Sequence, residues 1–180
     1  MKKAFLLLMA TVGFVYTIQA QDGTQTDKGS WLIEANTGFG GVSAHAANTG
    51  FGFFTSDGIT SWSIGTEGGY FVADGLALKA GVGYTSTSLS DFDITESILT
   101  YKLGAKYYII NTIPVQIEVT GASIKDANEN PLWLGLQGGY AIFIGDMVSI
   151  EPGLRYNLSL NEDFTDEGIF EFRIGFALHF

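Results

Sequence analysis

The chain has 180 residues, no cysteine, 24 glycines, and 9 basic against 19 acidic side chains, a formal net charge of -10. A single domain's length of acidic sequence, with no basic cluster beyond Lys2-Lys3, excludes nucleic-acid recognition through phosphate neutralisation. Absence of cysteine excludes disulfide scaffolds, thiolate metal centres and cysteine nucleophiles. Mean hydropathy is nevertheless positive, +0.22, although no run reaches the roughly 20 apolar residues that a spanning helix needs. The apolarity is therefore distributed, and its spacing carries the information.

Met1-Lys2-Lys3 is a charged start, residues 4–16 are apolar, and Thr17-Ile18-Gln19-Ala20 precedes polar Gln21. This is the pattern of a secretory signal peptide over 1–20, cut after Ala20. The mature chain loses Lys2 and Lys3 and keeps 160 residues with 7 basic and 19 acidic groups, hence -12. A polar N-terminal segment over 21–28 is expected in the periplasm, followed by one domain over 29–180.

From there a period of two runs to the end, the signature of β-strands. Trp31, Ile33, Ala35 and Thr37 oppose Leu32, Glu34 and Asn36 in the first predicted strand. Trp62, Ile64, Thr66, Gly68 and Tyr70 oppose Ser63, Gly65, Glu67 and Gly69 in the second. Leu76, Leu78, Ala80, Val82 and Tyr84 oppose Ala77, Lys79, Gly81 and Gly83. Leu99, Tyr101, Leu103, Ala105 and Tyr107 oppose Thr100, Lys102, Gly104, Lys106 and Tyr108. Val115, Ile117 and Val119 oppose Gln116, Glu118 and Thr120, and Leu134, Leu136, Gly138 and Tyr140 oppose Trp133, Gly135, Gln137 and Gly139. Val148, Ile150, Pro152, Leu154, Tyr156 and Leu158 oppose Ser149, Glu151, Gly153, Arg155 and Asn157. In the last, Phe170, Phe172, Ile174, Phe176, Leu178 and Phe180 oppose Glu171, Arg173, Gly175, Ala177 and His179.

Eight strands follow, and their connections alternate in length. Short turns fall at Ala73-Asp74-Gly75, around Asn111-Thr112-Ile113 and at Gly145-Asp146. Long polar loops are expected over 41–58, 85–95, 122–130 and 159–168. In an up-and-down barrel, alternate connections share an end, so one rim carries tight turns and the other loops, as in membrane barrels with an even number of strands about 10 residues long. The predicted fold class is all-β, an eight-stranded antiparallel up-and-down transmembrane barrel.

The signal peptide, the segment 67–78 (EGGYFVADGLAL) across the first short turn, and the aromatic last strand ending in Phe180 together resemble the small eight-stranded outer-membrane barrels. These are the OmpX-like and OmpA-transmembrane-like proteins of the porin-like outer-membrane β-barrel family. The resemblance covers residues 29–180. It implies insertion among outer-membrane lipid and lipopolysaccharide, and recognition of Phe180 by the barrel-assembly machinery. It implies no shared catalytic motif.

The sign of the alternation separates two kinds of barrel, because a soluble one has an apolar lumen and a membrane one reverses this. Here the charges lie opposite the aromatic stripe. Glu34, Glu67, Glu118, Glu151 and Glu171 face inward with Lys79, Lys102, Lys106, Arg155 and Arg173, five against five. Counting from the short turns places Glu34, Glu67, Lys79, Lys106, Glu118, Gln137, Glu151 and Arg173 in one polar layer. Lys102, Arg155 and Glu171 form a second above it. An eight-stranded interior is just wide enough for side chains to fill it, so the expected lumen is an ion-paired plug. A narrow pore for small solutes or ions is the alternative. Trp31, Trp62, Tyr70, Tyr84, Tyr101, Tyr107, Tyr140, Tyr156 and Phe180 concentrate near strand ends, as interfacial girdles do.

Chemistry is sparse. The two histidines, His45 in the first loop and His179 at the periplasmic end, fall at opposite rims, and His179 has no obvious serine partner. His45 with Ser43 and Asp57 is a generic set of small polar loop residues, and a lipid-modifying enzyme is the third reading. The acidic pair Asp91 and Asp93 and the trio Asp163, Asp166 and Glu167 lack EF-hand spacing and read as solvated loop charge, with calcium bridging to lipopolysaccharide phosphates as the alternative. Phe51, Phe53 and Phe54 make the first loop unusual, and the simplest account is a hairpin extended as a β-ribbon. The expectation is a non-catalytic, cofactor-free, monomeric envelope protein. It acts structurally or by contacting an unidentified extracellular ligand through acidic loops.

Overall fold

A computed structural model describes residues 24–39, 47–89 and 94–180. The signal peptide, Ser43, His45, Asp91 and Asp93 lie outside the described residues. Among the described residues ten strands are formed: β1 (Trp31–Phe39), β2 (Gly50–Ser56), β3 (Ile59–Ala73), β4 (Leu76–Leu89), β5 (Ile94–Ile109), β6 (Ile113–Ile124), β7 (Leu132–Gly139), β8 (Ile142–Ile144), β9 (Val148–Ser159) and β10 (Ile169–His179). All are antiparallel to their neighbours, in the order β1-β10-β9-β7-β6-β5-β4-β3-β2, with β8 on β9 and a closing β1–β3 pairing.

Eight positions around the wall are thus filled, because β7 and β8 are one strand interrupted and β2 is an outward addition. The interruption has a chemical cause. β7 stops at the pair Gly139↔Gly153 and β8 resumes at Ile142↔Ile150. Pro152 lies opposite the break, and a proline has no N–H to give to a ladder. Its carbonyl accepts from the Tyr140 amide at 3.0 Å, which carries the chain across the gap.

The first and second long loops of the expected set are shorter than the sequence suggests. Residues 50–56 form β2, paired with β3 from Gly50↔Gly65 to Ser56↔Ile59. Asp57 and Gly58 both have positive φ, 46° and 79°, the geometry of a two-residue type I′ hairpin turn. The 85–95 loop is mostly strand as well, since β4 and β5 pair out to Leu89↔Ile94. Apolar alternation fades there because the hairpin stands in water. Hydroxyls replace it, Ser61 with Thr87 at 2.9 Å and Ser88 with Thr95 at 3.1 Å.

Closure is uneven. β1 pairs with β10 from Leu32↔His179 to Phe39↔Phe172, but with β3 only at Trp31↔Tyr70, Leu32↔Gly69 and Ile33↔Gly68. Beyond those three pairs, residues 47–49 occupy the gap. Thr49 Oγ1 accepts from the Glu67 amide at 2.8 Å, Asn48 Nδ2 donates to the Asn36 carbonyl at 3.4 Å, and Ala47 is fully buried.

At the short-turn end an apolar floor closes the interior, made of Leu32, Phe71, Ala77, Tyr108, Ala141 and Ala177 with Phe143 against them. Across it runs the segment 24–30. The Thr26 carbonyl accepts from Gly75 N at 2.8 Å, Gly29 N donates to Phe71 O at 2.9 Å, and Lys28 N donates to Asp74 at 2.9 Å. Gly75 has φ +75°, a left-handed conformation that suits glycine in this turn.

Candidate lumen site

Every inward strand residue that carries charge is buried: Glu34, Glu67, Lys79, Lys102, Lys106, Glu118, Glu151, Arg155, Glu171 and Arg173. They form one string of alternating sign. Glu151 holds Lys106, which reaches Glu34 at 3.1 Å. Glu34 holds Lys79 at 2.8 Å, and Lys79 reaches Glu67 at 2.7 Å. Glu67 holds Lys102 at 2.8 Å, Lys102 lies 3.9 Å from Glu118, and Glu118 holds Arg155 at 2.5 Å. Asn157 then links Arg155 Nε, at 2.6 Å, to Glu171, which pairs with Arg173 at 3.2 Å.

The string replaces the two flat layers expected from counting residues. Strands in a barrel are tilted and staggered, so equal counts from the turns do not give equal heights. Arg173, counted into the lower layer, pairs with Glu171 of the upper one; Glu67 bridges Lys79 and Lys102 of the two sets, and Glu118, counted into the lower, pairs only with Lys102 and Arg155 of the upper. Gln137 stands beside Arg155 in register and is outside the string. Gln116 takes its place as the amide, accepting from Lys79 at 2.9 Å and donating to Glu118.

Glycines on the inward face make the long side chains possible. The Arg155 guanidinium lies across Gly135, where a Cβ would collide with it. Burying such charges is costly unless each is paired, which is why the arrangement is a continuous string rather than isolated groups.

Two parts of the lumen escaped the sequence reading. Asn48, from the inserted segment 47–49, accepts from Lys102 Nζ at 3.1 Å, so the first loop contributes to the interior. At the base, His179 has a serine after all: Ser149 Oγ lies 3.0 Å from Nε2. Ser149 also donates to Glu151 at 2.8 Å, and Tyr108 donates to the same oxygen at 2.7 Å. The signal was present, since Ser149, Glu151 and His179 all fall on the inward face. The cross-strand neighbourhood Ala177↔Ser149 that joins them is set by register, which periodicity does not fix.

The exterior is the inverse. Leu78, Leu103, Ile117, Leu136, Leu154 and Phe176 are exposed along the wall. Two aromatic pairs bound this band on β3, Trp31 with Tyr70 at 5.0 Å and Trp62 with Tyr84 at 5.3 Å between ring centroids. Tyr70 and Trp62 are eight residues apart, about 27 Å along a strand, which with strand tilt spans most of the roughly 25 Å apolar band of such barrels. No helix among the described residues is long and apolar enough to cross a membrane. No group of three or more histidine or acidic side chains among them is placed to hold a metal.

No family model and no curated protein matches the sequence. Three solved structures illustrate the similarity in shape. A de novo designed transmembrane β-barrel is 12% identical, with 86% of this chain and 98% of that chain covered, at a TM-score of 0.45. The outer membrane protein Ail of Yersinia pestis is 10% identical, with 86% and 99% covered, at 0.45. The outer membrane protein AlkL is 12% identical, with 89% and 90% covered, at 0.43. The fold itself rests on the geometry above: a closed eight-position antiparallel wall, apolar and girdled outside, charged and buried inside. This chain is a membrane-spanning β-barrel of the outer-membrane type.

Proposed function

We propose that this protein is a monomeric, non-catalytic component of the bacterial outer membrane. Its lumen is a charge-balanced plug, and it meets its surroundings through the outward ribbon and loops. The observation that supports this reading is the buried string of five carboxylates and five cations, which fills an interior only wide enough for side chains. Outward of the membrane band, Asp57, Glu96, Asp126, Glu129, Glu162, Asp163, Asp166 and Glu167 are exposed, with Lys125 as their basic counterpart. Such a surface favours cationic or cation-bridged partners over bare polyanions. Lipid and lipopolysaccharide surround the wall, and the assembly machinery reads the last strand. Ser149 and His179 are both buried beneath the segment 24–30, out of a substrate's reach.

Planar-bilayer recording tests the plug. The purified protein is expected to add no stable open state above leak, and Glu118→Gln is expected to leave that unchanged. A defined conductance whose size or selectivity shifts in Glu118→Gln or Lys106→Gln overturns the proposal in favour of a narrow pore.

A further inference from the structure

At the base of the barrel, His179 is the middle of a hydrogen-bonded chain whose two ends are both acceptors. Nδ1 faces the Gln25 carbonyl at 3.1 Å, and Nε2 faces Ser149 Oγ at 3.0 Å. Ser149 in turn faces Glu151 Oε1 at 2.8 Å. A carbonyl has no proton to give, and Glu151 is an ionised acceptor, because it already takes Lys106 Nζ and the Tyr108 hydroxyl. Three contacts need three protons. Serine brings one and a neutral imidazole brings one, so the set is one short, and only an imidazolium completes it.

We propose that His179 is a proton-binding site that latches the N-terminal segment 24–30 to the barrel. With the proton bound, Nδ1–H donates to Gln25, Nε2–H donates to Ser149, and Ser149 donates to Glu151. Without it, one of the three contacts is lost. Burial of the ring and Lys106 from β5 oppose the cation, while Glu151 from β9, the Gln25 carbonyl and Glu34 from β1 favour it. The rings of Phe143, Tyr108 and Phe71 lie 5.5, 6.0 and 6.2 Å from it, within reach of cation–π attraction. The sign follows from linkage: the docked segment supplies an acceptor that the protonated ring uses fully. Protonation therefore favours docking, docking favours protonation, and docking weakens as pH rises through the titration of His179.

The test uses the mature protein folded in lipid bilayers or detergent micelles, with the proton as the probe. Ring-nitrogen NMR of ¹⁵N-histidine protein follows both histidines, and His45→Ala assigns the signals. Amide exchange at Gly75, whose N–H is held by Thr26, reports docking of the segment. As His179 loses its proton, exchange at Gly75 is expected to rise roughly tenfold relative to a mid-wall amide such as that of Leu103, the scale of one lost hydrogen bond. In His179→Gln that pH-dependent step is expected to vanish while the heat-modifiable gel shift of the folded barrel remains. A ratio that stays flat while the NMR signals show His179 titrating overturns the latch, and so does the same step persisting in His179→Gln. Because the readout is local, a failed plug proposal leaves this result standing, and the reverse holds.

Discussion

Lys106 is the most committed single residue in the lumen. Its ammonium bridges Glu34 and Glu151, lies 5.1 Å over the Tyr108 ring, and is wholly removed from water. Lys106→Met keeps the volume and leaves Glu151 without a cation, while Glu34 keeps Lys79. Removing one partner of a buried pair costs about 3–5 kcal/mol. The expected outcome is a clear drop in the urea midpoint of the liposome-folded protein, followed by tryptophan fluorescence. Lys106→Met with Glu151→Gln is expected to recover part of it; a single variant as stable as the parent would mean that the string is not held by this pair. At this scale the sequence was informative about which side chains face inward, because a strand offers only two faces. Which of them meet was not legible: pairing partners come from different strands, and stagger decides their heights. Glu118 on β6 meets Arg155 on β9 across β7, which register alone decides, whereas Arg173 and Glu171, two residues apart on one face of β10, are the pair that alternation already places together.

Elements sort by what stabilises them. Where strands cross lipid, alternation is strict and the strand limits were readable. Where they rise into water, backbone ladders and Ser/Thr pairs suffice, the apolar period disappears, and the outer ends of β4 and β5 read as loop, while the ribbon expected around Phe51, Phe53 and Phe54 is formed by β2 on β3. The two ends of the wall are therefore chemically different, and insertion separates them. An epitope placed between Asp57 and Gly58, in an open type I′ turn, is expected to fold normally and be labelled by antibody on intact cells. The same epitope between Asp74 and Gly75 breaks the bonds from Gly75 to Thr26 and Tyr108 and faces the other compartment. It is expected to go unlabelled and to lower the yield of folded protein. Labelling of the second site on intact cells would invert the orientation assigned here.

Across the whole molecule, charge and apolarity are partitioned by surface rather than by segment. The lumen set sums to zero, so the acidity of the chain belongs to its rims, while the wall between them is apolar. Residues 102 and 103 show how sharp the boundary is: Lys102 is buried in the string, and Leu103, its neighbour, is 66% exposed at mid-wall. Leu103→Arg is expected to destabilise the protein in bilayers by about 2–4 kcal/mol, the depth-dependent cost of a cation facing lipid, read from urea titration in liposomes. A negligible change would place that face in water. The overall architecture was legible because this partition repeats in every strand. The inserted residues 47–49 were not, since nothing in their composition distinguishes a loop that turns inward from one that extends out.

Unequal closure of the wall has a mechanical consequence. Seven of the eight junctions are ladders running most of a strand's length, whereas β1 and β3 share three residue pairs before the side chains of Asn48 and Thr49 take over. Side-chain bridges yield one at a time, while a backbone ladder loaded along its strands must shear many bonds together. Stretched in the plane of the bilayer, the cylinder has a tear line already assigned. It runs between the first strand and the third, not between the first and the last, where a chain closed end to end would be expected to part.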